Sequence, residues 1–159
     1  MTKLKDIMAY IVKNYPFKHE LSNARLTKMI YLADWRNSLV NNQQISSIHW
    51  RYEDYGPFVW DVLNTAQLSD TFETLETTNP YGQKKVKISL KNPDYQPELT
   101  NDEREILDYV INKTKKLNWA GFIKLVYSTY PILKSERYSI LNLIDFAQKY
   151  RAEKNGEPE

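Results

Sequence analysis

The sequence predicts an α+β fold: a mainly helical single domain packed around a small antiparallel sheet made of one strand and a β-hairpin. Three observations carry this. Apolar residues recur at helical spacing at both ends of the chain, as in Leu4, Ile7, Met8 and Ile11 and again in Ile106, Leu107, Val110 and Ile111. Strict alternation marks the middle, where Ile48, Trp50 and Tyr52 interleave with His49, Arg51 and Glu53. Turn residues, Gly56-Pro57 and Asn79-Pro80-Tyr81-Gly82, punctuate that middle.

Taken in order, a first amphipathic helix is expected from about Thr2 to Asn14, ended by Pro16. Ser22 suits the N-cap of a second helix, Asn23 to about Val40, with Leu26, Met29, Ile30, Ala33 and Leu39 as its buried stripe. Asn41 to Gln44 make a polar stop. The strand at Ile48–Glu53 then meets Gly56-Pro57. Proline excludes the helical region for the residue before it, which glycine accepts, and Pro57 suits the first position of a helix running to about Leu68. Phe72–Thr77 and Lys84–Leu90 read as a hairpin, with Val86, Ile88 and Leu90 on one face and Lys85 and Lys87 on the other. Asn92-Pro93 and Pro97 mark a linker. Thr100 and Glu103 form a capping box for the next helix, in which each satisfies a free amide of the other's turn. Asn118 caps a helix carrying Trp119, Phe122, Ile123 and Val126, stopped by Pro131; Ser139 caps a last one with Leu143, Ile144 and Ala147. A single domain is expected over residues 1–152, with 153–159 a frayed tail.

Composition narrows the function classes. At 159 residues the chain is long enough to bury a core without a metal or disulfide. It has no cysteine, which excludes a disulfide scaffold, a thiolate metal site and a Cys nucleophile. Its two histidines, His19 and His49, stand in no HExxH pattern. There is no GxSxG, P-loop or GxGxxG, and four glycines are few for a phosphate cradle. These readings point away from an enzyme and predict no metal and no cofactor. Asp6 and Lys13 break the N-terminal apolar pattern, and no apolar run approaches the roughly 18 residues that span a bilayer, so a cytoplasmic protein with no membrane partner is expected. The net charge is only +2 but unevenly spread. Tyr52 to Gln83 contains no Lys or Arg and holds Glu53, Asp54, Asp61, Asp70, Glu73 and Glu76, whereas Lys113 to Arg151 is basic.

Three segments, LTKMIYLADW on the second helix, DYGPFVWDVL at the strand and turn, and the late LTNDEREILDYVI, together resemble the SocA-like antitoxin family, also called the Panacea domain. The pairing of a K-[ILM]-[ILM]-Y-[LF]-A-D helix with a following Y-G-P turn carries the resemblance. It implies an antitoxin of a toxin–antitoxin system: a protein that binds and neutralises a protein toxin encoded by a neighbouring gene, often in a phage or prophage. It also implies a task for Asp34, whose carboxylate would accept backbone amides and hold the Tyr55-Gly56 turn. The chain departs from the family at LVYSTYPILKSERYS, which keeps Pro131 but lacks the His and the Pro-Trp pair of other members.

The candidate contacts are aromatic. Tyr31 and Trp35 lie four apart on the second helix, off its apolar stripe, and suit either core packing or exposed anchoring. Twelve Tyr and four Trp exceed the needs of one core, so some should reach the surface. The expected partner surface comprises Tyr31, Trp35, Tyr52, Tyr55 and Trp60, with Asp54 and Asp61 drawing in a basic toxin. Asp34, Gly56 and Pro57 are read as its structural frame. The alternative is a winged-helix-like DNA-binding regulator, since the order helix, helix, strand, helix, hairpin fits one. Nucleic acid is the less favoured partner: the helix before the hairpin carries Asp61 and no cation, while phosphates require cations. Pairing of Lys84, Lys85 and Lys87 with Glu73 and Glu76 accounts for the basic hairpin.

Overall fold

The computed structural model describes residues 2–156. Helix α1 (Thr2–Asn14) leads through a single 3-10 turn to α2 (Asn23–Asn41), the axis of the molecule. Helix α2 is buried on nearly every face, from Leu26 and Met29 to Thr27, Asp34 and Ser38. A helix with polar residues on its inner faces has no single apolar stripe, and each buried polar group needs a partner. Ser22 caps it as expected, accepting the Arg25 N–H at 3.1 Å. Asn42, in the left-handed region at φ 56°, ends it.

The middle of the chain forms two small antiparallel sheets. Strands β1 (Tyr52–Glu53) and β2 (Gly56–Pro57) make one, with Tyr52 opposite Pro57. Strands β3 (Phe72–Thr78) and β4 (Lys84–Leu90) make the other. The sequence-predicted strand is thus shorter than its alternation suggests and does not join the hairpin. Ile48 and Trp50 are nonetheless buried and His49 exposed, so the alternation records burial as far as Trp50, while Arg51, Tyr52 and Glu53 are all half-buried. Pro57 does not open a helix. Gly56 turns back at φ 100°, Pro57 pairs with Tyr52, and helix α3 (Asp61–Leu68) begins only after Trp60. On the hairpin, Lys84 meets Glu76 at 3.6 Å, but Lys85 lies opposite Thr77, Lys87 opposite Leu75 and Glu73 opposite Ser89.

The C-terminal half is helical: α4 (Asn101–Thr114), α5 (Trp119–Tyr127), α6 (Tyr130–Leu133) and α7 (Leu143–Gly156). The Thr100–Glu103 capping box and the Asn118 cap form as predicted. Pro131 does not stop α5, which ends at Tyr127; it sits in the first turn of α6, where a missing amide costs nothing. Ser139 does not cap the last helix. Its carbonyl accepts the Tyr52 N–H at 3.0 Å and Ile140 bridges Arg51, so the chain stays extended and Asn142 caps α7, accepting the Asp145 N–H at 3.1 Å. Helix α7 runs on through Glu153 to Gly156; the remainder of the expected tail, 157–159, lies outside the described residues.

Helices α1, α2 and α4 enclose the core around Ile7, Leu26, Met29, Ile30 and Leu107, and Phe72 and Ile88 close it from the β3–β4 hairpin. Two arginines fasten α2 to the C-terminal half. Arg25 donates to the Thr114 and Leu117 carbonyls at 2.9 Å each, at the end of α4. Arg151 of α7 donates to Ser38 and Leu39 at the end of α2. Both satisfy helix C-terminal carbonyls, where positive charge is favoured. Among the described residues, no helix is long and apolar enough to cross a membrane.

Candidate functional site

Asp34 frames the site from beneath. It is fully buried on α2 and collects donors from the loop that follows the helix. One carboxylate oxygen accepts the Ile45 and Ser46 amides at 2.9 Å; the other accepts the Ser46 hydroxyl at 2.5 Å and the Trp50 indole at 2.9 Å. Asp34 therefore holds the 44–50 loop, not the Tyr55-Gly56 turn. The loop reaches the helix first, and its two free amides are the donors within reach. Burial pushes the carboxyl up to about 6, against the pull of the donors.

The loop delivers Trp50 to the core and the following hairpin to the surface. There, Tyr55, Phe58 and Trp60 form one wall of a groove of about 720 Å³. Trp119, Ile123 and Tyr127 of α5, four residues apart in succession and so on one helix face, form the other. Ala24 and Lys28 of α2 line it too, and Glu53 and Asp54 complete the set. Tyr55 is 81% exposed and Trp60 63%, and Trp119 is also exposed. Phe58 and Trp60 pack edge-to-face at 5.1 Å. Gly56 allows the walls to approach: a Cβ there would stand 3.2 Å from the Tyr127 ring.

The structure sorts the sequence-predicted contacts. Tyr55, Trp60 and Asp54 line the groove. Asp54 also accepts the Tyr138 hydroxyl. Tyr52 supports the groove from behind, half-buried and edge-on to Tyr127 at 6.2 Å. Asp61 is exposed on α3 beside Trp60 but does not line it. Gly56 and Pro57 are buried in strand β2. Tyr31 is corrected from anchor to core: it has no exposed surface, meets Trp50 edge-on at 5.5 Å and shares a hydrogen bond with Thr129 at 2.8 Å. Trp35 is likewise corrected. It is buried against Tyr130, stacked at 6.4 Å, and Tyr150. It lines a separate, smaller cleft of about 320 Å³ with Arg36 and Tyr109. Both misreadings share a cause. Tyr31 and Trp35 lie off the α2 stripe, but later helices cover that side too.

The α5 wall and Lys28 escape sequence reasoning. Trp119 and Ile123 read as part of one helix stripe with Phe122 and Val126, and the sequence singles out no role for Tyr127. Only Phe122 and Val126 are buried. Their i, i+4 spacing carried the signal of a second, outward face.

No curated protein and no solved structure matches the chain. A family model described as antitoxin SocA-like, Panacea domain, matches residues 26–131, the greater part of the chain. The matched span takes in Lys28 and both aromatic walls of the groove, from Glu53 to Trp60 and from Trp119 to Tyr127. The chain belongs to the SocA-like antitoxin family, of which it carries the Panacea domain.

Proposed function

We propose that this protein neutralises a partner toxin by direct contact, and that the toxin docks in the groove between the β1–β2 hairpin and α5. Tyr55 and Trp60 on one wall and Trp119 on the other supply the observation behind this reading: three large aromatic side chains left open to solvent around one concavity. Soluble domains seldom expose such patches without a partner, and tryptophan and tyrosine dominate binding hot spots. Glu53 and Asp54 at the same groove favour encounter with a basic surface. The role is one of binding, with the partner encoded by a neighbouring gene. Duplex DNA is the weaker candidate, because the exposed side of α3 brings Asp61 and no cation.

Co-expression tests it. A toxic neighbouring gene product should become tolerated when this chain is present, and the two should copurify. The variants Trp60→Ala and Trp119→Ala should lose both effects while remaining folded. Rescue that survives both substitutions would refute the groove as the docking site, and a neighbour that is harmless alone would refute the antitoxin role.

A further inference from the structure

We infer that the groove recognises an acidic side chain, a glutamate or aspartate flanked by apolar residues on a partner protein segment, through an ion pair with Lys28. Lys28 is only 2% exposed, yet it makes no hydrogen bond and no ion pair with any described residue. Its ammonium lies 5.5 Å from the centre of the Phe58 ring, on the groove lining. An ammonium so nearly enclosed keeps only a little water at the groove, and a counterion there would offset the hydration it has lost. The nearby acids do not supply one. Glu53 pairs with Arg51 at 3.2 Å, and Asp54 accepts the Tyr138 hydroxyl.

The chemistry of the occupant follows from what surrounds the charge. Apolar and aromatic side chains, Phe58, Trp60, Trp119, Ile123 and Tyr127, crowd the approach. A carboxylate on a short stem between apolar neighbours matches cation and aromatic walls together, whereas a bare inorganic anion would leave those walls uncovered. A carboxylate entering this desolvated site forms a charge-assisted hydrogen bond, the strong kind. Burial pushes the Lys28 ammonium down to about 8, so it is still mostly charged at neutral pH and gains from a counterion. The acidic Glu53 and Asp54 then discriminate against a segment rich in acids and favour a basic flank around the single carboxylate.

This inference rests on the groove being the docking site, and it is tested without the toxin. Three peptides serve as probes: acetyl-Phe-Glu-Phe-amide, acetyl-Phe-Gln-Phe-amide and acetyl-Phe-Gln-Phe with a free C-terminal carboxylate. Binding is read from tryptophan fluorescence and from NMR shifts of the groove indoles. The glutamate peptide should bind about tenfold more tightly than the blocked glutamine peptide. Lys28→Met, whose side chain fills the same space without charge, should erase that preference and keep the glutamine peptide's affinity; a thermal melt checks that the variant is folded. Equal binding of the glutamate and blocked glutamine peptides overturns the inference, as does a preference that survives Lys28→Met. Tighter binding of the free-carboxylate peptide than of the glutamate peptide also overturns it, by assigning the cation to a chain terminus. If the peptides behave as expected but Trp60→Ala leaves toxin rescue intact, the docking reading fails and the carboxylate site stands.

Discussion

Trp50 donates its indole N–H to the Asp34 carboxylate at 2.9 Å, and both side chains are shut away from solvent. This one bond ties the centre of α2 to the strand segment that leads into the β1–β2 hairpin. Asp34→Asn keeps the shape but replaces one acceptor oxygen with a donor group. Either the Ile45 and Ser46 amides or the Ser46 hydroxyl and Trp50 indole would then face an N–H. Buried donors stripped of an acceptor cost about 1–3 kcal/mol each, so the variant should lose about 2–4 kcal/mol at neutral pH. Urea unfolding followed by far-UV circular dichroism measures it. A loss below about 1 kcal/mol would show that the loop is held by something else.

The same carboxylate sets a pH dependence. Its ordinary value is 3.8, and burial raises it to about 6 in the folded protein. Between those values the folded state binds more protons than the unfolded state, so the stability from this group is fully present below about 4, falls as pH rises through 6, and is flat above. Other groups cancel when the wild type is compared with Asp34→Asn across that range. The wild-type advantage should shrink by roughly 2–3 kcal/mol from pH 4 to pH 7. Parallel curves for the two proteins would contradict it.

Arg25 makes a different claim on stability. It closes the end of α4 through Thr114 and Leu117, and its guanidinium lies over the Phe122 ring at 4.5 Å and the Tyr15 ring at 5.7 Å. Arg25→Lys retains the charge but not the planar group that stacks and spans two carbonyls. A loss of about 2–3 kcal/mol is expected, with amide exchange accelerated first at Lys115 and Leu117. Uniform acceleration across the chain would show a global defect instead.

Much of this architecture was legible in the sequence because its cues are local. The Ser22, Thr100 and Asn118 caps, the α1 stripe and the β3–β4 turn each depend on residues within a few positions of one another. What was hidden depends on distant partners. Ser139 looks like a cap until its carbonyl is taken by Tyr52, and Pro57 looks like a helix start until it pairs across Gly56. The site divides in the same way. Tyr55 and Trp60 sit beside a visible turn, whereas Trp119 and Lys28 join them only through the packing of α2, α5 and the hairpin. Burial of Tyr31 and Trp35 has the same origin, since Thr129, Tyr130 and Tyr150 cover them from far along the chain.

Gly56 is held by two constraints that substitution can separate. Its φ of 100° is strained for any L side chain, and a Cβ would press on Tyr127 at 3.2 Å. Gly56→Ala should cost about 1–3 kcal/mol in the wild-type background and less in Tyr127→Ala, where only the backbone strain remains. A double-mutant cycle by thermal unfolding gives the difference. Equal costs in both backgrounds would mean that the ring yields freely and that the turn alone demands glycine.

Trp60 and Trp119 stand on opposite walls and touch different supports, Phe58 at 5.1 Å and Phe122 at 5.7 Å. Both are open to solvent, so truncation removes little folded-state burial, and each alanine variant should unfold within about 1 kcal/mol of the wild type. Binding should respond differently. If one partner segment fills the groove, each truncation exposes the contact on the other wall to water, and each should weaken toxin binding by about 2 kcal/mol or more, roughly thirtyfold. The double variant should then lose less than the sum, because either single change already loosens the segment. Tyr81→Ala, at the tip of the β3–β4 hairpin and more exposed than either tryptophan, is the control and should bind as the wild type does. Titration calorimetry against the copurified toxin reads the wild type and all four variants. Loss of binding in Tyr81→Ala with both tryptophan variants unaffected would move the interface to the hairpin tip.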